Sequence, residues 1–257
     1  MPDSIQSKRI RYDDIADLYD TYVQTDFDIP FWLEAARNTS GAVLELMAGT
    51  GRISIPLLEA GVSLSCVDLS PEMLAILRQK VDARDFSATL HQMDVCELDL
   101  GQPFELIILP FNSFAELLSP AKQQKALARI RSHLSPNGRF ICTLHNPHVR
   151  LSNVDGKLRL WNRYPLKAEA GTLLFWGMET YDPDSELVNG LEFFEIYNAS
   201  GVLQSKRMVE TRFRLISKPE FETLATSAGF ECLALYGNYD YSEFRAGASP
   251  YMIWMLG

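Results

Sequence analysis

The sequence predicts an α/β fold built on a parallel sheet and followed by a set of antiparallel strands. Between residues 41 and 146, short apolar runs typical of strands alternate with helical patterns. From about residue 150 to residue 216, four strand-like runs are joined by turns such as DPDS and NASG, with no helix between them. Alternation of strand and helix indicates parallel pairing, whereas consecutive strands indicate an antiparallel meander.

Five strands are predicted in the alternating part, namely GAVLELM, SLSCVDL, ATLHQMD, PFELIILP and RFICTLHN. A short helix closed by Gly61 follows the first strand. Ser70 and Ser119 are each followed by proline, which is the usual start of a capped helix. The Pro-Asn-Gly sequence at 136–138 predicts a turn before the fifth strand. In parallel sheets of this kind, ligands bind at the carboxyl ends of the strands.

The meander is predicted from the runs GKLRLWNRY, TLLFWGMETY, ELVNGLEFFEIY and VLQSKRMVETRFRLIS. Alternation in the last run places Val209, Thr211, Phe213 and Leu215 on one face and Met208, Glu210, Arg212 and Arg214 on the other. The charged face either meets solvent or lines a substrate pocket or a dimer contact. A helix then starts at Ser217, which forms a capping box with Glu220, and two strands, ECLALYG and YMIWML, close the chain.

Composition narrows the function classes. The 257 residues are 47% hydrophobic and carry a formal net charge of -9, so a large core is expected and a nucleic-acid partner is not. The N-terminal stretch has no apolar run typical of a signal peptide, and no window is long and apolar enough to span a membrane. The four cysteines are widely spaced, which favours reduced thiols, so we expect a cytoplasmic protein. Because the acidic net charge argues against nucleic acid, a small molecule is the expected partner.

Acidic residues stand at the ends of the first three strands, at Glu45, Asp68 and Asp94. A carboxylate at the second strand end can accept both hydroxyls of a ribose. The turn at 49–51, Gly-Thr-Gly, lets a ligand approach backbone N–H groups at a helix start. A dinucleotide would require glycine or alanine where this chain has Ser54, and its pyrophosphate would gain nothing from Glu45. S-adenosylmethionine, with its ammonium, sulfonium and ribose, fits these residues better.

These motifs resemble class I S-adenosylmethionine-dependent methyltransferases. The matching stretches are VLELMAGTGR, VDLSPEML, HQMD, FELIILPFNSF and LSPNGRFICTLHNP. The resemblance implies a Rossmann-like methyltransferase fold: a seven-stranded, mostly parallel sheet flanked by helices, with the meander as an antiparallel β insertion. It also implies cofactor contacts from Tyr19, Glu45, Met47, Ala48, Gly49, Thr50, Gly51, Arg52, Asp68, Leu69, Met73, Met93, Asp94, Val95, Pro110 and Phe111.

The resemblance departs from the family pattern at Met47, where the family has glycine, and at the following Ala48. A strand-end backbone with negative φ at Met47 would leave its side chain pointing away from the ligand. The alternative is a loop that has drifted and binds the cofactor weakly.

The N-terminal segment, residues 1–37, resembles the family's helical lid, with Tyr12, Tyr19 and Tyr22 as candidate contacts. The alternative is an amphipathic helix that uses these aromatic rings as core. The resemblance then assigns residues 38–149 and 217–257 to the cofactor-binding core, and 150–216 to a substrate cap or homodimer contact. In architecture the chain is similar to bacterial amino-sugar N,N-dimethyltransferases and glycine N-methyltransferase-like enzymes.

Methyl transfer to an N- or O-nucleophile of a small molecule is the expected reaction. It depends mainly on in-line alignment, with a general base only where the acceptor arrives protonated. Asn112, His145 and Tyr12 are the candidate catalytic residues. His145 and His148 have no convincing third ligand nearby, so no metal is expected. The alternatives are a non-catalytic cofactor-binding or scaffold module and, third, a nicotinamide-dependent oxidoreductase.

Overall fold

The computed structural model describes residues 12–166 and 171–257. Its strands are β1 (Val43–Leu46), β2 (Leu64–Asp68), β3 (Thr89–Gln92), β4 (Phe104–Leu109), β5 (Leu134–His145), β6 (Arg159–Leu166), β7 (Gly171–Asp182), β8 (Leu187–Tyr197), β9 (Leu203–Arg214), β10 (Cys232–Tyr236) and β11 (Tyr251–Leu256). Its α-helices are α1 (Ala16–Tyr22), α2 (Ile29–Arg37), α3 (Ser54–Glu59), α4 (Pro71–Asp82), α5 (Pro120–Ser132), α6 (Pro147–Arg150) and α7 (Lys218–Ser227). Short 3-10 helices cover Tyr12–Asp14, Val95–Glu97, Ser113–Glu116 and Leu151–Asn153.

The larger sheet has seven strands in the order β10-β11-β5-β4-β1-β2-β3. Strands β1 to β5 pair in parallel, and β11 runs antiparallel to both β5 and β10. This is the Rossmann-like methyltransferase fold, and the predicted seven-stranded, mostly parallel sheet is confirmed. The order reverses at β1, which pairs with β2 on one side and β4 on the other. A ligand site is therefore expected at the carboxyl end of β1.

Helices cover both faces of this sheet because its central strands are apolar on both sides. All four residues of β1 are buried, with Leu44 and Leu46 in one core and Val43 in the other. The predicted caps are confirmed: Ser70 accepts a hydrogen bond from the backbone N–H of Met73 at 3.1 Å. Ser119 and Ser217 make the same contact at the starts of α5 and α7. Together these caps and cores fix where each strand ends.

The turn predicted at 136–138 is wrong, because β5 runs without a break from Leu134 to His145. Leu134 pairs with Phe104 and Arg139 pairs with Leu106, so the residues between them form a bulge. Gly138 permits the close passage, since a Cβ there would lie 2.8 Å from the carbonyl oxygen of Phe104. The strand thus begins earlier than the Pro-Asn-Gly signal suggests.

The predicted meander is confirmed as a separate four-stranded antiparallel sheet in the order β6-β7-β8-β9. The N-terminal segment packs on one face of it. Ile15 and Leu18 join Leu173 and Phe194 in a small core. The lid residues before Tyr12 lie outside the described residues. In the part of the chain that the structure describes, no helix is long and apolar enough to cross a membrane.

Candidate functional site

A cavity of about 1090 Å³, counting its open mouth, lies at the carboxyl ends of β1, β2 and β4. Eleven residues singled out in the sequence line it: Tyr12, Tyr19, Met47, Gly49, Asp68, Leu69, Met73, Met93, Asp94, Val95 and Phe111. The predicted strand-end site is therefore a real concavity.

Asp68 holds the centre of the cavity wall. Its Oδ2 accepts a hydrogen bond from the Gly49 backbone N–H at 2.7 Å, and its Oδ1 accepts one from the Ser70 N–H at 2.8 Å. Burial raises the pKa of this carboxyl, and the backbone donors oppose that rise. Each carboxylate oxygen has a second lone pair, so Asp68 can still accept two hydroxyls from a ligand in the cavity.

The glycine turn is open to a ligand at one residue and tightly packed at the next. Gly49 has φ of +56°, and a Cβ there would meet nothing within 4 Å. Gly51 has φ of +89°, and a Cβ there would lie 2.3 Å from the Leu77 side chain. Gly49 thus presents bare backbone to the cavity, whereas Gly51 permits α4 to pack against the loop.

The expectation of a negative φ at Met47 is wrong, because its φ is +55°. That value lies in the left-handed region, which costs an ordinary residue about 1–2 kcal/mol. Met47 lines the cavity, and it is partly buried against the apolar core. The loop keeps the backbone shape that glycine favours, and the methionine tolerates it through its packing.

Glu45 lies beneath the loop and does not line the cavity. It is 1% exposed, and its Oε2 accepts a hydrogen bond from the Ser54 hydroxyl at 2.6 Å. Burial raises the pKa of Glu45 to about 8, against the smaller opposing effects of Ser54 and Arg52. The carboxyl is therefore mostly protonated at pH 7, and only a nearby cation would ionise it.

Five more predicted contacts, Ala48, Thr50, Gly51, Arg52 and Pro110, lie near the cavity without lining it. Arg52 forms a two-pronged ion pair with Asp28, at 2.5 and 2.8 Å, and its guanidinium lies 4.7 Å from the centre of the Phe111 ring. Thr50 donates its hydroxyl to Asp20 at 2.7 Å. These residues join the N-terminal segment to the loop.

The N-terminal segment contacts the cavity through two further hydrogen bonds. Asp13 accepts from the Ser70 hydroxyl at 2.5 Å, next to Asp68. Tyr12 donates its hydroxyl to Glu116 at 2.7 Å, and both residues line the cavity. Tyr22 does not line it, because its ring packs 4.9 Å from Phe194 in the small core. The core interpretation thus holds for Tyr22, whereas Tyr12 and Tyr19 form part of the cavity wall.

Two of the three candidate catalytic residues lie away from the cavity wall. His145 is not among the lining residues, and burial together with Arg150 lowers its pKa to about 3, so it is a poor base at neutral pH. Asn112 has φ of +62° and donates its backbone N–H to the Thr143 hydroxyl at 3.0 Å. Its Oδ1 is buried without a hydrogen-bond partner among the described residues. Tyr12 alone of the three faces the cavity.

Eight lining residues were not named as contacts from the sequence: Asp13, Val67, Ser70, Ser113, Glu116, Leu117, Leu118 and Arg212. Val67 and Ser70 flank Asp68, so the strand end itself could have suggested them. Ser113 follows the candidate Asn112 in the stretch FELIILPFNSF, which carries the resemblance. The sequence pattern places Arg212 only on the charged face of the last meander strand. For Glu116 and Asp13 the sequence carries no signal, since their partners are 104 and 57 residues away.

A further acid lies behind the lining residues. The Glu192 carboxyl on β8 is near Glu179 and Glu116, and burial with these two charges raises its pKa to about 7. Among residues 12–166 and 171–257, no group of three or more His, Cys, Asp or Glu side chains is arranged to hold a metal ion. The chemistry available in the cavity is that of carboxylates, phenols and one guanidinium.

The family model that matches this chain is described as a methyltransferase domain and covers residues 43–138. The CcbJ methyltransferase from Streptomyces caelestis superposes with a TM-score of 0.80 at 25% identity, over 96% of this chain and 97% of that chain.

Two sequence relatives carry more specific names. The glycine/sarcosine N-methyltransferase of Parasynechococcus marenigrum is 26% identical over 200 residues, 77% of this chain and 66% of the relative. The dTDP-3-amino-3,6-dideoxy-alpha-D-glucopyranose N,N-dimethyltransferase of Streptomyces fradiae is 28% identical over 49% of this chain and 51% of the relative. The chain spans about half the length of the first curated relatives it matches, 47% to 56%.

Proposed function

We propose that this chain, whose residues 43–138 form a methyltransferase domain, transfers the methyl group of S-adenosylmethionine to the nitrogen of a small-molecule amine. Asp68 carries the proposal, because its carboxylate lines the cavity between the glycine turn and the start of α4. That position suits a ribose whose two hydroxyls are accepted side by side.

The charge of the cavity supports a cationic nucleoside. Four carboxylates line it, from Asp13, Asp68, Asp94 and Glu116, against a single guanidinium. A sulfonium and an ammonium gain from such a wall, whereas the pyrophosphate of a dinucleotide would be repelled by it. This balance is the reason to prefer S-adenosylmethionine over a nicotinamide cofactor.

The lining residues divide into the two halves that the reaction needs. Met93, Asp94 and Val95, which follow β3, line the cavity together with Leu117. In the proposal these residues would hold the adenine ring. Met47 and Gly49 lie at the turn, where the amino-acid end of the cofactor would pass. Glu45 lies below this turn and would ionise beside the cofactor's ammonium.

Tyr12, Phe111, Ser113 and Glu116 also line the cavity, and in the proposal they would form the acceptor half. The bound cofactor supplies an electrophilic methyl group on sulfur, so these residues need only align the acceptor and exclude water. The Glu116 carboxylate can accept a hydrogen bond from an amine, and Tyr12 fixes its orientation. Burial and Glu116 raise the pKa of Tyr12 well above its usual value, so this phenol remains a neutral donor. The N-methyltransferase names of two relatives favour nitrogen over oxygen as the nucleophile.

The proposal is tested by calorimetric titration with S-adenosylmethionine. The wild-type chain is expected to bind, and Asp68→Asn and Asp68→Ala are expected to bind at least tenfold more weakly. A hydrogen bond to a charged group contributes about 1.5–3 kcal/mol, and Asp68 would supply two. Asp184→Ala, in an exposed turn of the meander, is the matched control. Absence of binding, or equal affinity in the Asp68 and Asp184 variants, contradicts the proposal, provided that circular dichroism shows each variant folded.

Activity with a panel of amines, measured as the formation of S-adenosylhomocysteine, then tests catalysis itself.

We also propose a cytoplasmic protein that does not act on nucleic acid. The net charge of -9 and four free cysteines, three of them buried, support this location and partner class.

For the homodimer expected from the sequence, we propose contact through the meander face opposite α1. Leu160, Trp176, Phe193 and Met208 are successive cross-strand neighbours there. Leu160 is 46% exposed and Met208 58%, so the row leaves apolar surface open to a second copy. Light scattering should give a dimer mass for the wild type and a monomer mass for Met208→Lys. A wild-type monomer at micromolar concentration contradicts this contact.

A further inference from the structure

Arg212 is the one basic residue among those that line the cavity. It is half-buried and lies near the end of β9, where that strand packs against the 3-10 helix Ser113–Glu116. Arg212 therefore joins the cavity lining from the meander, together with Glu116 and Tyr12. This is the acceptor half, since the nucleoside half is built from β1 to β3.

Among the described residues the Arg212 side chain has no ion pair or hydrogen bond, whereas its backbone pairs with Asn189 on β8. Four other arginines between α6 and the end of β9 each have a carboxylate partner: Arg150 with Glu179, Arg159 with Asp155, Arg207 with Asp17, and Arg214 with Glu186 and Glu220. These four charges are thus neutralised by carboxylates. Arg163 bonds the Thr172 hydroxyl instead and does not line the cavity, whereas Arg212 lines it without a carboxylate partner among the described residues.

A guanidinium in a partly desolvated cavity gains most from a carboxylate or phosphate oxygen, which it binds through two parallel hydrogen bonds. The acidic lining residues do not take this role, because none of them lies within ion-pair distance of Arg212 among the described contacts. In the proposed function the cofactor's own carboxylate would lie at the turn of Met47 and Gly49, which follows β1. An anion for Arg212 is therefore expected from the second molecule in the cavity.

We infer that the acceptor is an amine that also carries an anionic group, a carboxylate or a phosphate, and that Arg212 binds this group while the amine lies at Glu116. The inference rests on the proposed function and deepens it from a small-molecule amine to a zwitterionic one. Arg212 is then a positioning residue for the acceptor, since fixing the anion at one end orients the nitrogen toward the methyl group.

The direct test is anion binding to the protein saturated with S-adenosylhomocysteine. Acetate and inorganic phosphate are titrated separately, which distinguishes the two sources of the anion. The wild type is expected to bind at least one of them with a millimolar Kd. Arg212→Gln is expected to lose this binding by tenfold or more, and Arg212→Lys to retain part of it. Arg163→Gln is the matched control, because Arg163 lies on β6, bonds Thr172 and does not line the cavity.

The affinity for the cofactor distinguishes this inference from the alternative that Arg212 binds the carboxylate of the cofactor itself. Arg212→Gln should leave the Kd for S-adenosylmethionine within twofold of the wild type. A tenfold loss of cofactor affinity would instead assign Arg212 to the cofactor's carboxylate and overturn the inference. Anion binding that is absent in the wild type, or equal in Arg212→Gln and Arg163→Gln, would also overturn it. Both of these results would leave the proposed function standing if S-adenosylmethionine still binds.

Methylation assays extend the test with matched pairs of acceptors, glycine against glycinamide and glucosamine 6-phosphate against glucosamine. The wild type should prefer the anionic member of a pair by tenfold or more in kcat/KM, and Arg212→Gln should lose the preference through KM. Turnover of the neutral amines with no preference for their anionic partners would contradict the inference and retain the methyltransferase.

Discussion

Glu45→Gln should make the ligand-free protein more stable at neutral and alkaline pH. Glu45 is 1% exposed beneath the glycine turn, and burial raises its pKa to about 8 from an ordinary value of 4.5. Glutamine keeps the shape of the side chain and can still accept the hydrogen bond from Ser54. The substitution therefore removes the titration and little else.

The sign and size follow from linkage. Between pH 4.5 and 8 the folded state keeps a proton on Glu45 that the unfolded state has lost, so folding stability falls as pH rises across this window. At about 1.36 kcal/mol per pH unit, the accumulated cost is about 3 kcal/mol at pH 7 and about 5 kcal/mol above pH 8. Below pH 4.5 both states are protonated, and the wild type and the glutamine variant should be equally stable.

Urea unfolding at half-unit steps from pH 4.5 to 9 measures this difference directly. The gap in unfolding free energy between Glu45→Gln and the wild type should open from near zero to several kcal/mol. Glu231→Gln, at an exposed position, is the control and should show no such opening gap. A constant gap across the pH range would mean that Glu45 is already ionised in the folded state, and would refute the reasoning.

Three further outcomes follow from the same part of the molecule. S-adenosylmethionine binding at pH 7 should release a proton in the wild type and none in Glu45→Gln. Calorimetry in buffers of different ionisation enthalpy measures this release. Equal release by the two proteins would mean that a group other than Glu45 loses the proton. Met47→Gly should be more stable than Met47→Ala by about 1 kcal/mol in urea unfolding, because only glycine relieves the left-handed φ of +55°; the reverse order would show that φ carries no strain. Arg52→Met should lower the free energy of unfolding by about 3–5 kcal/mol, because it leaves Asp28 buried without its partner. Much of this loss should be restored in the double variant Arg52→Met/Asp28→Asn. If it is not restored, the contact between Arg52 and Phe111 accounts for the loss instead.

The fold was predictable because its signals are local. The runs that form β1, β2 and β4 are four to six residues long and mostly apolar, and the serine caps of α4, α5 and α7 lie next to the helices they start. Asp68 is predictable for the same reason, because it ends β2 and lies two residues before the Ser70 cap, from whose N–H it accepts a hydrogen bond. Where the interaction is local, the sequence pattern and the structure agree.

The remaining features depend on packing between distant residues. The backbone at Met47 adopts its left-handed shape because of the loop around it, and the residue type alone predicts the opposite. Arg212 and Arg214 share one face in the sequence pattern. Arg214 is neutralised by Glu186 and Glu220, whereas Arg212 meets the cavity. The sequence pattern correctly places His145 at the end of a strand, but burial lowers its pKa to about 3 and makes it a poor base. The alternation of side chains along a strand predicts which residues share a face of the sheet, but it does not predict what that face contacts.

The 3-10 helix at Tyr12–Asp14 connects the two halves of the cavity. Asp13 accepts from Ser70 in the nucleoside half, and the adjacent Tyr12 donates to Glu116 in the acceptor half. Two consecutive residues of one turn cannot move independently, so loss of either bond should loosen the other.

A double-mutant cycle on cofactor binding tests this coupling. Tyr12→Phe should weaken S-adenosylmethionine binding by about twofold to tenfold, since one hydrogen bond contributes about 0.5–1.5 kcal/mol. In an Asp13→Ala background, where the turn is already released from Ser70, the same substitution should have almost no further effect. Calorimetry gives the four affinities. If the two losses simply add, each residue acts on its own half of the cavity and the turn transmits nothing between cofactor and acceptor.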